Sequence, residues 1–585
     1  MIPLFRRCLL ISVVLTLCLT LAFWLELPQP ASFRTLQQFI HHPKQPQFRW
    51  KDVKQRFPVE SVRLLPGGPP QPIPRIQHVF KIETPEQKQE QASRQAAVKQ
   101  SFLHSWNGYT THAWLQDEVA PLTGEYKNGF GGWAATLIDS LDTLWIMDLK
   151  KEFAVAVAAL KHIDFTASPL PTLNVFETNI RYLGGLLSAY DVSGGEYKVL
   201  LQRAVELGDM LYVAFDTPNR MPITQWDWSN GATNGQQDAP IHVLLAEYGS
   251  FSLEFTRLSQ LTGDAKYYDA AQRIMDVLDE QQDRTKVPGL WPTMLSAQRQ
   301  DFTKDSSFTM GAMADSAYEY LPKQHILLGG RTDQYQRMYE KALSTARERL
   351  FFRPMTPENH NILIAGTLKR LSATNVQLHR EGQHLTCFVG GMVGLGARIF
   401  TNESDLDTAR QLTDGCIWAY ESMPSGIMPE VFLLKECTSD TCEWSQEEWY
   451  EGIKHDDTTA GGDVEAMRLP LEQRARRVIE QQNLVPGFTK IKDPRYMLRP
   501  EAIESVFVMY RITGDRTLLD RAWNMFRAIE RRAKTDIAYA TIDDVSVDRG
   551  ELSDSMESFW TAETLKYFYL IFSDPDLISL DEYVL

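Results

Sequence analysis

A helix, a Thr-Gly-Asp turn and a second helix occur twice at well-separated places in this chain, and that repeat limits its possible folds more than any other feature. Residues 255–278 (FTRLSQLTGDAKYYDAAQRIMDVL) and 508–529 (VMYRITGDRTLLDRAWNMFRAI) carry the pattern, and residues 188–207 (SAYDVSGGEYKVLLQRAVEL) form a looser third copy. Apolar residues return at steps of three and four from about residue 90 onward, as in Phe176, Ile180, Leu183, Leu187 and Tyr190, and glycines mark the breaks. That is the period of helices with one buried face. Recurring helical hairpins bury themselves by stacking on their neighbours, either in an open solenoid or in a closed α/α barrel. The copies are unevenly spaced, and inserts such as 216–240 interrupt them, which favours a closed barrel with its loops gathered at one rim. Strand-like alternation is scarce, so the predicted fold is all-α.

The chain has 585 residues, 43% of them hydrophobic and 11% aromatic, enough for one large core. A net charge of −15 without a basic cluster excludes nucleic acid as a partner. Residues 8–25 are 18 uncharged, mostly apolar residues between Arg6 and Arg7 on one side and Glu26 on the other. They predict a signal anchor with a cytosolic N-terminus, that is, a type II single-pass membrane protein with its bulk in the lumen. A cleaved signal peptide is the rival reading, but Phe23, Trp24 and Leu25 lack the small residues of a cleavage site. Eleven prolines between Pro28 and Pro85 exclude long helices there and predict a stem. The expected organisation is a tail and anchor at 1–27, a Pro-rich stem at 28–90 and a helical catalytic domain at 91–585.

Cys8 and Cys18 fall in the anchor, leaving Cys387, Cys416, Cys437 and Cys442 for an oxidising lumen. Cys437 and Cys442 are near enough for a local bridge, with Cys387 and Cys416 closing a longer loop; four free buried thiols are the alternative. The one N-x-S/T sequon, at Asn402, fits a luminal surface.

Several carboxylates sit inside apolar helical segments, where an unpaired charge is costly to bury. Glu177 lies one turn before Arg181, and Glu501 and Glu504 lie one turn apart just after Arg499 and Pro500. Asp315, Glu247 and Glu557 complete the set. Any one of these pairs alone reads as a structural salt bridge. Together, with few bases nearby, they suggest proton transfer or a hard cation.

The segments GWAATLIDSLDTLWIMDL (132–149), VFETNIRYLGGLLSAY, FTMGAMADSAYEY, HLTCFVGGM (384–392), LRPEAIESVF and MESFWTAETLKYFYLIFSD resemble the class I α-1,2-mannosidases, glycoside hydrolase family 47, of the fungal or Golgi kind. The resemblance covers nearly all of residues 95–584 and implies an (αα)7 toroidal barrel with a calcium ion at its floor. It also implies inverting removal of terminal α-1,2-linked mannose from high-mannose N-glycans in the endoplasmic reticulum or Golgi. Inversion needs an acid at the leaving oxygen and a base on the opposite face that activates water, with carboxyls roughly 6.5–9.5 Å apart. Carried over by motif, Glu177 is the expected general acid and Glu501 the expected base, with Asp315 a further catalytic carboxylate. Arg181 and Arg499 are expected to orient carboxylates and sugar hydroxyls, and Glu247, His384, Glu504 and Glu557 to line the pocket floor. The Cys387–Cys416 pair matches the family's disulfide.

Two departures shape these expectations. Family members usually continue past the LDEYV-like segment with a run whose Thr ligates calcium directly, whereas this sequence stops at Leu585, so no residue takes that role and weakened metal binding is expected. Members that remove a single mannose carry Arg two residues before the catalytic Asp, where this chain has Met313; trimming of several mannoses is expected. A lectin-like, weakly catalytic mannose binder is the alternative from another class, although Glu177, Asp315 and Glu501 together favour an enzyme.

Overall fold

The computed structural model describes residues 47–370, 376–439, 441–456 and 469–585. The anchor stretch 8–25 lies outside the described residues, and among these no helix is long and apolar enough to cross a membrane.

The expected hairpins form. In chain order the helices are α1 (Pro85–His112), α2 (Leu141–Ile146), α3 (Lys150–Ala159), α4 (Gly184–Val192) and α5 (Lys198–Val213). Then come α6 (Ser252–Thr262), α7 (Lys266–Gln281), α8 (Asp315–Leu327), α9 (Gln334–Arg349) and α10 (Val389–Ile399). The last are α11 (Glu403–Ser422), α12 (Glu501–Thr513), α13 (Thr517–Ala533) and α14 (Leu565–Ile571). Each even-numbered helix from α2 to α12 packs on the helix that follows it, and α14 packs on α1. The even-numbered helices also touch one another in succession, and the turn before α14 returns to α2, so the inner row closes on itself.

Local chemistry explains the ends. Both Thr-Gly-Asp turns place their glycine, Gly263 and Gly514, in the left-handed region at φ 75° and 70° as the helix C-cap. Helix α1 starts on a capping box between Thr84 and Gln87 with Pro85 in its first turn. Helix α10 is buried on nearly every side, and its glycines permit that packing: a Cβ on Gly396 would stand 2.1 Å from the Tyr339 hydroxyl.

The fold is not purely helical, because the long loops at one rim pair with one another to satisfy their backbone groups. Strands β1 (Ser307–Thr309), β2 (Thr367–Arg370) and β3 (Val376–His379) form one antiparallel sheet. A second comprises β4 (Glu381–Gln383), β5 (Val431–Leu434) and β6 (Phe488–Asp493). Shorter ladders include Leu173–Asn174 against Gln225–Trp226. On β6 rests a helical hairpin with its own small core of Trp449, Ile453, Ala475, Val478 and Leu484. Both cysteine pairs are bonded, Cys387–Cys416 and Cys437–Cys442.

Residues 47–84, the described part of the Pro-rich stretch, lie along the helices rather than apart from them. Backbone N–H groups of Arg56 and Phe57 donate to Asp216 at 2.6 and 2.8 Å, that of Arg63 to Asp269 at 2.9 Å, and that of Ile76 to Asp581 at 2.7 Å. Among the described residues no carboxylate lies within ion-pair distance of the fully buried Arg511; it donates to Gln77 of this strap and to carbonyls including Leu570, and burial pulls it down to about 10. Prolines exclude long helices here, yet an extended chain presents free N–H groups that these carboxylates accept.

Candidate active site

The N-terminal ends of the inner helices and the rim loops converge on a cleft. On one wall, the Asn174 side chain caps the turn carrying Glu177, accepting its N–H at 3.0 Å. A π-helical turn, Thr178–Leu183, follows directly, an irregularity often placed at functional sites. Arg181 donates to Glu177 Oε2 at 2.8 Å and to Ser558 Oγ at 2.8 Å, and stands 3.9 Å from Glu557. Its guanidinium lies 4.4 Å from the Phe130 ring, in a loop whose backbone N–H groups converge on Asp117. Behind Arg181, Ser558 donates to Asp139 through its hydroxyl and to Glu118 through its N–H. Burial, with Glu557 adding to it, pushes Glu118 up to about 8. Burial also raises Asp139 to about 6, against the pull of Arg181.

On the facing wall Glu501 opens α12. His384, fully buried, links Glu501 Oε2 at 2.9 Å to the Tyr420 hydroxyl at 2.8 Å. Arg499 lies 3.8 Å from Glu501 and pairs with the buried Glu430. Burial pushes Glu501 up, but the His384 hydrogen bond and the Arg499 charge outweigh it and hold the carboxyl below its ordinary range. Asp315 opens α8 and accepts the Ser316 N–H at 2.9 Å. Burial, reinforced by Glu319 and Glu501, raises it to about 7. The Phe559 ring joins the walls, 5.5 Å from Arg181 and 5.9 Å from Arg499.

Deeper, Lys323 of α8 pairs with Glu319 and lies 3.5 Å from Glu504. These groups, with Tyr567, border a small cavity of about 30 Å³. Burial, then Glu319, drives Glu504 well above its ordinary range, and burial raises Glu563 to about 8. At the rim, Glu247 Oε1 accepts from both Asn174 and Gln225 at 3.0 Å. Met313, at φ 76° and 53% exposed, stands at the mouth, and its carbonyl accepts the Ala246 N–H.

The residues singled out from sequence therefore gather in one contiguous region, with three adjustments. Glu247 stands at the rim and Glu557 beside Arg181 rather than at the floor, where the carboxylate from the segment of Glu557 is Glu563; and His384, fully buried between Glu501 and Tyr420, positions Glu501 instead of lining the pocket. Sequence reasoning missed Glu118, Asp139, Glu319, Glu430, Glu563, Tyr420 and Phe559. Glu319 and Glu563 carried the signal already used, an acid in an apolar helical segment.

A ring of helix pairs whose carboxylates face one another across an arginine-flanked cleft has the machinery of a glycoside hydrolase. The comparisons narrow this further. The profile of glycosyl hydrolase family 47 matches residues 101–585, and the chain belongs to that family. The chain is 34% identical over 499 residues to the human endoplasmic reticulum mannosyl-oligosaccharide 1,2-alpha-mannosidase, covering 84% of this chain and 62% of that one. A probable mannosyl-oligosaccharide alpha-1,2-mannosidase 1B of Aspergillus niger is 31% identical, over 82% of this chain and 87% of the relative. The solved alpha-1,2-mannosidase from Trichoderma reesei superposes with a TM-score of 0.70 at 31% identity, covering 83% of this chain and 94% of that one.

Proposed function

We propose that this protein is an inverting α-1,2-mannosidase that removes terminal α-1,2-linked mannose from high-mannose N-glycans, on an (αα)7 barrel in the secretory pathway. The observation that carries the reading is the opposition across Phe559 of two arginine-flanked carboxylates, Glu177 and Glu501. Glu501, held ionised by His384 and Arg499, suits the base that takes a proton from the attacking water. Glu177 is proposed to protonate the leaving oxygen. Asp315, raised to about 7, can carry a proton near neutrality. Glu247, Glu557 and the two arginines offer acceptors and donors for sugar hydroxyls, and the open mouth at Met313 suits a branched oligosaccharide. The relatives named above are enzymes by title, which weighs against a purely lectin-like role.

Calcium is the proposed cofactor. Among the described residues no three acidic, His or Cys side chains are grouped to ligate a metal directly. The floor instead brings Glu319 and Glu504 to Lys323, with Glu563 near Glu504, a group of carboxyl oxygens suited to accepting from the waters of a hard cation. Bound there, the ion would supply positive charge that polarises sugar hydroxyls. An N-terminal anchor and residence in the endoplasmic reticulum or Golgi are proposed from the apolar stretch 8–25, with two disulfides consistent with an oxidising lumen.

The test is mannose release from a defined high-mannose oligosaccharide, with α-mannosyl fluoride as a second substrate. Fluoride leaves without a proton, so the activated substrate should restore turnover in Glu177→Gln and not in Glu501→Gln. Restoration in Asp315→Asn alone would transfer the acid role to Asp315.

A further inference from the structure

We infer that Trp50, in the N-terminal strap outside the family match at 101–585, is a positioning residue for the sugar-binding rim; this rests on the mannosidase reading. Trp50 is buried, donates its indole N–H to the Phe165 carbonyl at 2.9 Å, and packs on Trp226 with ring centroids 5.7 Å apart. Gly231 packs closely on Trp226, since a Cβ there would lie only 2.4 Å from its ring. It is also pinned by donation to Gln237 at 2.6 Å. Trp226 belongs to the ladder in which Leu173 pairs with Trp226 and Asn174 with Gln225. The two residues next to that apolar pair, Asn174 and Gln225, are the ones that hold Glu247 Oε1, and Asn174 also caps the Glu177 turn. Trp50 thus presses from the strap on the ladder that fixes the rim acid Glu247 and the start of the Glu177 turn. Removing its ring leaves a cavity beside Trp226 into which the ladder can relax.

The experiment uses the purified full chain and a Man-α-1,2-Man disaccharide. Trp50→Ala should lower kcat/KM by about tenfold or more, the scale of a sub-ångström to ångström misplacement. Trp50→Phe should recover to within about twofold of wild type, since an aromatic ring refills the space. In a double-mutant cycle, Trp50→Ala should cost at least about threefold less in a Glu247→Gln background than in wild type, because the two share the route through Glu247 while the Glu177 turn carries the rest. Arg63→Ala, which loosens the strap at Asp276, 2.9 Å away, is the stability control and should leave kcat/KM unchanged. Hydrogen exchange at the Val175 and Glu177 amides should quicken in Trp50→Ala and not in Arg63→Ala, a readout independent of turnover. Unchanged exchange at those amides, or a full multiplicative loss in the cycle, overturns the inference. A wild-type protein that releases no mannose overturns the activity reading instead, and the exchange measurement still decides the role of Trp50.

Discussion

Arg181 stands among Glu177, Glu557, Glu118 and Asp139, so its removal would leave several buried acids without their cation. Arg181→Gln is therefore expected to destabilise the fold by about 3–5 kcal/mol, the cost of stranding buried charge, read as a lower denaturation midpoint. Asp315 has the opposite stability sign. Its folded value of about 7 exceeds the usual 3.8, so the stability it contributes is present at acid pH and lost as pH rises through about 7. Asp315→Asn should then be more stable than wild type at pH 8 by on the order of 2 kcal/mol, show no gain near pH 3, and be catalytically impaired. Equal thermal shifts at both pH values would sink this. Glu177→Gln is expected to lose about 10²–10⁴-fold in turnover of the natural linkage, the usual worth of a positioned acid. At this scale the sequence exposed Glu177 with Arg181 and Glu501 with Arg499 because each pair is local. It hid Glu118 and Asp139, whose common partner Ser558 lies more than 400 residues away.

Among the elements, the strap departs most from its sequence appearance. Proline density excludes helix and suggests a spacer, but says nothing about docking; Asp216, Asp269 and Asp581 supply the acceptors. A chain beginning at residue 85 should melt several degrees lower than one beginning at residue 47, since it strips those acids of their backbone donors and uncovers Trp226. Identical melting temperatures would show that the strap is passive. The Cys387–Cys416 bond, spanning 29 residues, should contribute about 3–4 kcal/mol by restricting the unfolded chain, measurable by comparing Cys416→Ala with wild type in urea. The hairpins were legible because the helical period and Thr-Gly-Asp turns are local signals. The short rim strands were not, because two- to four-residue ladders carry almost no periodicity.

For the molecule as a whole, the exposed Met313 at the mouth predicts successive removal of several mannoses. Met313→Arg should shift the product profile toward fewer removals by adding a charged donor where branches enter. A profile unchanged in glycan chromatography would dismiss Met313 as a determinant. By itself the sequence determined that this chain stacks helical hairpins into a closed shell, belongs to a mannosidase-like family and carries acids inside apolar helices. The hairpins and the buried acids follow from period, turn chemistry and the cost of burying charge, and the family from the resemblance of its motif segments, all readable within a few dozen residues. Only the tertiary structure decided that His384 bridges Glu501 to Tyr420, that Glu319 and Glu504 share Lys323, and that the strap reaches the rim at Trp226. Those arrangements join segments up to several hundred residues apart, and the burial that shifts their charges exists only once the ring of helices has closed.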